Sequence, residues 1–271
     1  MGGHEASRNK RMQPTFFLDA FPIWTIFPIT IVVGLISVEI GRRVAHLWRQ
    51  RAKDKAEAPA APIVAATLGL LAFLLAFTFG MAASRFEERK QAVVSESSAI
   101  QTSYLRAAML PEPMSTDARN LLRQYVEVRI AGMRPEQFQQ AVTKSEELHK
   151  QLWAATLAAA QKERSPMLSL FMQSLNDVIS LHEKRLIAGV HNRVPAAIWI
   201  GLYLLLVIAM AVMGYYEGMS GTMRSLAVLG LVIAFSAVLG LIADLDRPGQ
   251  GLLQVNQQSM LDVQRSMRSM P

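Results

Sequence analysis

The chain has 271 residues, 51% of them hydrophobic, with no cysteine and a formal charge of +7. Without cysteine there is no disulfide framework, no thiolate metal site and no cysteine nucleophile. The cations gather at the ends of apolar runs, where Lys and Arg meet lipid headgroups, so the excess charge points to a membrane surface and away from nucleic acid.

A bilayer core takes about 20 apolar residues in helix. Four uncharged runs reach that length: residues 20–38, 63–83, 194–216 and 225–243. A charge at mid-bilayer costs roughly 3 kcal/mol, so these runs predict four transmembrane helices and an all-α, multi-pass membrane protein. The reading divides the chain into a polar N-terminal segment 1–19, a first transmembrane hairpin 20–83 and a helical soluble domain 84–193. A second hairpin 194–243 and a C-terminal amphipathic tail 244–271 follow. Nineteen mostly polar residues precede the first run and no small-residue cleavage site ends it, so it reads as a retained helix and not as a secretory signal.

The loop after the first run holds Arg42, Arg43, Arg49, Arg51, Lys53 and Lys55, which the positive-inside rule assigns to the cytoplasm. Opposing cations flank the other ends: Arg8, Lys10 and Arg11, then Arg85, Arg89 and Lys90, then Lys184, Arg185 and Arg193. Charge alone therefore leaves the orientation open.

Along the second run, Gly69, Ala72, Ala76, Gly80 and Ala83 form a stripe of small side chains, a surface for close helix packing. Beside it run Leu70, Phe73, Phe77, Met81 and Ser84. Periodicity alone leaves the phenylalanines against lipid, inside a bundle, or around a hydrophobic constriction that gates ions by dewetting. The constriction needs several copies, because four helices of one chain hardly enclose a hydrated pore. In "SRFEERK", Glu87 or Glu88 pairs with Lys90 on the helix surface, or Arg85 and Arg89 line a vestibule attractive to anions.

Neither Gly nor Pro follows Gly80 until "PEP" at 111–113, so the second helix is expected to continue unbroken into the soluble domain. "STDARNLLRQYVEVRIAG" opens with capping types, closes at Gly132 and repeats Leu121, Leu122, Tyr125, Val126, Val128 and Ile130 at helical steps. Ser165 and Pro166 form an N-cap and N1 pair. In the tail, Pro248 and Gly249 make a break, followed by an amphipathic element with Leu252, Leu253, Val255, Met260, Leu261 and Val263.

No H-E-x-x-H, G-x-S-x-G or phosphate loop occurs, so no enzyme is expected and no cofactor is assigned. "LHEKRL" lacks the second histidine of a metal motif and reads His182 with Glu183 as a polar contact inside the soluble domain. Gly214 and Gly218 make a G-x-x-x-G near the membrane interface, a packing signal. "GMSG" at 218–221 is a turn. Asp244 and Asp246 are the candidates for a hard cation, against a local salt bridge with Arg247.

"AFTFGMAASRFEERK", "SAIQTSYLRAAMLPEP", "LHEKRL" and "IADLDRPGQGLL" resemble a bacterial bestrophin-like family of uncharacterised membrane proteins, and more distantly the bestrophin channels. The resemblance covers about residues 63–265. It implies a homo-oligomer, a pentamer around a central pore, in the bacterial inner membrane, passing anions, with the helical domain in the cytoplasm. Carried over through Arg85, the family's neck positions fall on Gly69, Phe73 and Phe77. Phe79 and Gly80 stand where the family has paired asparagines, and its calcium-binding acidic cluster is reduced to Asp244 and Asp246.

The leading expectation is an oligomeric anion channel lined by Gly69, Phe73, Phe77, Gly80 and Ser84, with Arg85 and Arg89 at the mouth and Ala72, Ala76 and Ala83 packing helices. Membrane lipid and permeating ions are its partners. The alternative is a non-conducting scaffold or sensor whose helical domain binds another protein.

Overall fold

The computed structural model of the chain describes residues 22–51, 60–162, 165–190, 192–220, 226–247 and 251–270. The segment 1–19, with Arg8, Lys10 and Arg11, lies outside the described residues. So do Lys53 and Lys55, His191, Gly221, and Pro248 with Gly249; residues 218–220, expected in a turn, instead continue the helix that begins at Ala196. Among the described residues the fold is all-α, and four helices are long and apolar enough to cross a membrane. They fall into two units, the chain up to Ala83 with Val194–Asp246, and Ser84–Arg193 with the described residues from Arg247 onward.

The membrane unit contains α1 (Ile23–Arg51), the first part of α2 (Ala60–Ala107), α6 (Ala196–Ser220) and α7 (Leu226–Asp246). α1 runs well past the first apolar run, through the basic segment. It packs mainly on α6 and also on α7. The α1–α6 crossing is close because glycines meet backbone: a Cβ on Gly41 would stand 1.9 Å from the Ala211 carbonyl oxygen, and one on Gly214 2.0 Å from that of Val38. Gly218 faces Ala45 and the Arg42 carbonyl in the same way. The G-x-x-x-G packing signal of α6 is thus realised, and Gly41 is its unforeseen counterpart. Thr30 Oγ1 and Tyr203 OH share a hydrogen bond of 2.9 Å across the same seam. At its basic end, Arg42 pairs with buried Glu217, so one cationic and one anionic side chain close the crossing.

In the soluble unit α2 continues from Ser84 to Ala107, unbroken as the absence of Gly and Pro demands. α3 (Met114–Ala131), a short 3-10 turn (Pro135–Gln137), α4 (Phe138–Lys162), α5 (Pro166–Val190) and α8 (Gln258–Ser269) complete it. α3 starts two residues earlier than a cap at Ser115 would set it. Its N-cap position is Pro113, and the Glu112 carboxylate accepts the Thr116 N–H at 3.2 Å. Its last turn ends as expected, with the Gly132 N–H donating to the Val128 carbonyl. Ser165 caps α5 through the Met167 N–H at 3.2 Å.

One hydrophobic core joins Ile100 and Tyr104 of α2, Leu122, Tyr125 and Val126 of α3, Leu148 and Leu152 of α4, Phe171 and Leu175 of α5, and Met260, Val263 and Met267 of α8. The tail helix is therefore part of this core. It is also shorter than expected: Leu252, 96% exposed, and Leu253 precede it, and it begins where Asn256 Oδ1 accepts the Gln258 N–H at 2.8 Å.

Candidate functional site

α2 buries Val64, Leu71, Leu75, Thr78 and Ala82, a row at steps of three, four and seven that forms one helix edge. The small-residue stripe is a different edge. Ala72 and Ala76 are exposed in the single chain, Ala83 is half-buried, and a Cβ on Gly69 or Gly80 would meet nothing within 4 Å. The stripe therefore does not make the intrachain contacts of α2. Phe73 and Phe77 are 66% and 62% exposed, and Ser84 is exposed as well. Only 22% of the apolar stretch of α2 is buried within the chain, so lipid or further copies must cover the remainder.

The proposed lining residues share one face of α2, and the two mouth candidates lie off it. At 3.6 residues per turn, Gly69, Phe77, Gly80 and Ser84 lie within roughly 40° of Phe73 around the helix axis, whereas Arg85 and Arg89 lie roughly 120° and 160° away. Burial agrees: Arg89 is 6% exposed, with its guanidinium 5.8 Å from the Phe86 ring, and Arg85 is half-buried. Glu87 pairs with Lys90 at 3.3 Å, the surface reading of that segment. Asp246 Oδ1 accepts the Val194 N–H at 2.7 Å, so this carboxylate fixes the chain entering α6. Asp244 is buried, and among the described residues no three His, Asp or Glu side chains are grouped to hold a metal.

The soluble unit holds a centre that the sequence reading missed. Glu96 of α2 is fully buried, and both its oxygens are occupied. Oε1 accepts from the Tyr125 hydroxyl at 2.6 Å and lies 3.0 Å from Arg129 Nε; Oε2 accepts from Arg129 Nη2 at 3.2 Å and Arg185 Nη1 at 2.6 Å. His182 Nδ1 is 3.1 Å from the Tyr125 hydroxyl. The phenol has one proton and gives it to Glu96, so His182 Nδ1 carries the hydrogen in that contact. Arg185 also donates to Gln257 Oε1 at 2.9 Å, which ties in the segment before α8. Burial by itself raises the Glu96 carboxyl, but its contacts with His182, Arg129, Arg185 and Tyr125 outweigh that and hold it well below the ordinary carboxylate range. Burial, then the neighbouring Glu96 charge, pushes the Tyr125 phenol well up. The expected polar role of His182 is met, with Glu96 as the carboxylate in place of Glu183.

A signal for this centre was present. Glu96 falls between Val93 and Ile100 on the buried edge of α2, and Arg129 follows Leu122, Tyr125 and Val126 on the buried face of α3. A charge on an apolar edge calls for a partner.

The sequence profile of the bestrophin-like domain matches residues 29–260. The chain belongs to the bestrophin-like family. Solved structures share the fold of this bestrophin-like chain. A point mutant of a bacterial bestrophin homologue from Klebsiella pneumoniae superposes with a TM-score of 0.62 at 15% identity, covering 92% of this chain and 99% of its own. Another crystal of a bacterial bestrophin homologue from Klebsiella pneumoniae gives 0.60 at 16% identity, with 90% and 97% covered. A crystal structure described as a membrane protein gives 0.61 at 16% identity over 92% and 99%. No curated protein matches the chain.

Proposed function

We propose that this bestrophin-like chain is the subunit of an oligomeric anion channel in the bacterial inner membrane, with α2 lining the path and the soluble unit in the cytoplasm. The observation that carries the reading is the exposure of Phe73 and Phe77: two large rings, left uncovered by their own chain, on a helix face with open space at Gly69 and Gly80. Around a symmetry axis such rings make a neck that holds ions back by excluding water. Five copies follow from the family resemblance, and the small edge with Ala72, Ala76 and Ala83 is then the contact between neighbouring α2 helices. Arg85, still partly exposed, is the better of the two mouth candidates.

The test is conductance of the purified oligomer in a planar bilayer. Phe73→Ala and Phe77→Ala widen the neck and are expected to raise the current. A correctly assembled oligomer that passes no current in either form would favour the scaffold, in which the helical unit serves to bind another protein.

A further inference from the structure

His149, on α4, is 7% exposed and wedged between two rings. Its centroid lies 4.7 Å from Tyr125 and 4.9 Å from His182, the second contact edge to face at 86°. The charged and titratable groups around it come from three other helices: Glu96 of α2, Tyr125 and Arg129 of α3, and His182 of α5, with Arg185 one turn further along. On its own helix the neighbours one turn away are Ser145 and Leu152, buried and uncharged, with Trp153 and Glu146 exposed at the surface. Glu96 is a single carboxylate serving two guanidiniums, and its oxygens already take Tyr125, Arg129 and Arg185. A proton on His149 would thus add a cation to a centre with surplus positive charge and no unoccupied carboxylate oxygen.

We propose that His149 makes the soluble unit proton-responsive: acidification is accommodated by opening α4 away from α3 and α5. Burial, followed by the facing His182, lowers His149 from 6.5 to about 4. The neutral ring belongs to the closed state, and an opened α4 takes up the proton. The stabilising contribution is therefore complete above 6.5 and declines as pH falls toward 4. At about pH 5 this linkage amounts to about thirty-fold in the opening equilibrium.

Hydrogen exchange of the detergent-solubilised full chain, corrected for the intrinsic pH dependence of exchange, reads this directly. Between about pH 7.5 and about pH 5, amides of α4 should lose about thirty-fold in protection, and His149→Gln should abolish most of that loss. His149→Phe, which keeps a ring against Tyr125, is measured alongside so that a poorly folded Gln variant does not decide the matter. Equal α4 protection at both pH values in the wild type overturns the proposal. So does a wild-type-sized loss in either folded variant.

Discussion

Replacing Glu96 by Gln tests the physics of the soluble unit most sharply. The substitution keeps the volume at a fully buried position but removes the charge facing Arg129 and Arg185, which are 5% and 16% exposed in their side chains. Breaking a buried ion pair from one side costs about 3–5 kcal/mol, because the remaining guanidinium is left without its counter-charge. Tyr125→Phe leaves both guanidiniums their counter-charge and removes the hydroxyl's bonds to the carboxylate and to His182, the bond to the carboxylate contributing about 1.5–3 kcal/mol. Domains are stable by about 5–15 kcal/mol, so Glu96→Gln should bring the unit close to unfolding. Urea titration in detergent, read by pulse proteolysis between Ser84 and Arg193, converts the loss into a midpoint shift of about 1–5 M for a slope of about 1–3 kcal/mol per M. The expected order is Glu96→Gln below Tyr125→Phe below wild type. A Glu96→Gln midpoint within about 0.3 M of wild type would refute the argument that this carboxylate compensates two buried cations.

The same unit should weaken in acid. Glu96 lies below its ordinary 4.5, so its contribution is present above that pH and fades as pH falls below it, after the His149 contribution has begun to decline from 6.5. Urea midpoints measured across that range check the order. In the membrane unit, Gly41→Ala and Gly214→Ala push a methyl into backbone and should destabilise by at least about 1–3 kcal/mol. Gly69→Ala meets nothing within the chain and should leave the thermal midpoint unchanged or raised. Ala76→Leu should lower the oligomer fraction seen by native mass spectrometry while leaving the isolated chain intact, if the small edge of α2 is the contact between copies. Asp246→Ala deprives the Val194 N–H of a charged acceptor and should cost about 1.5–3 kcal/mol in thermal unfolding of the membrane unit.

The four spans and the continuity of α2 could be read from the chain because each rests on a local property, freedom from charge over some 20 residues or absence of a breaker. Local signals also found the Gly132 stop and the Ser165 cap. They failed at the start of α3, which begins at Met114, ahead of the capping types at 115–117, with the Glu112 carboxylate accepting the Thr116 N–H. Gly214 and Gly218 stood out as a spaced pair, but Gly41 did not, since its significance comes from the helix opposite. The Glu96 centre draws on α2, α3, α4, α5 and Gln257, and no spacing within one helix encodes it. Arg85 and Arg89 are the reverse case. Helical arithmetic alone separates them from the Phe73 face, and burial only repeats the answer.

Because Met260, Val263 and Met267 fill the core assembled by residues 100–178, the water-facing unit is encoded in two pieces with two lipid spans between them. During synthesis α2, α3, α4 and α5 emerge first and wait, with a hydrophobic gap open, until the final helix leaves the ribosome. Folding of this unit is thereby timed to follow insertion of the second hairpin, and a fragment ending at Arg193 would carry that gap permanently.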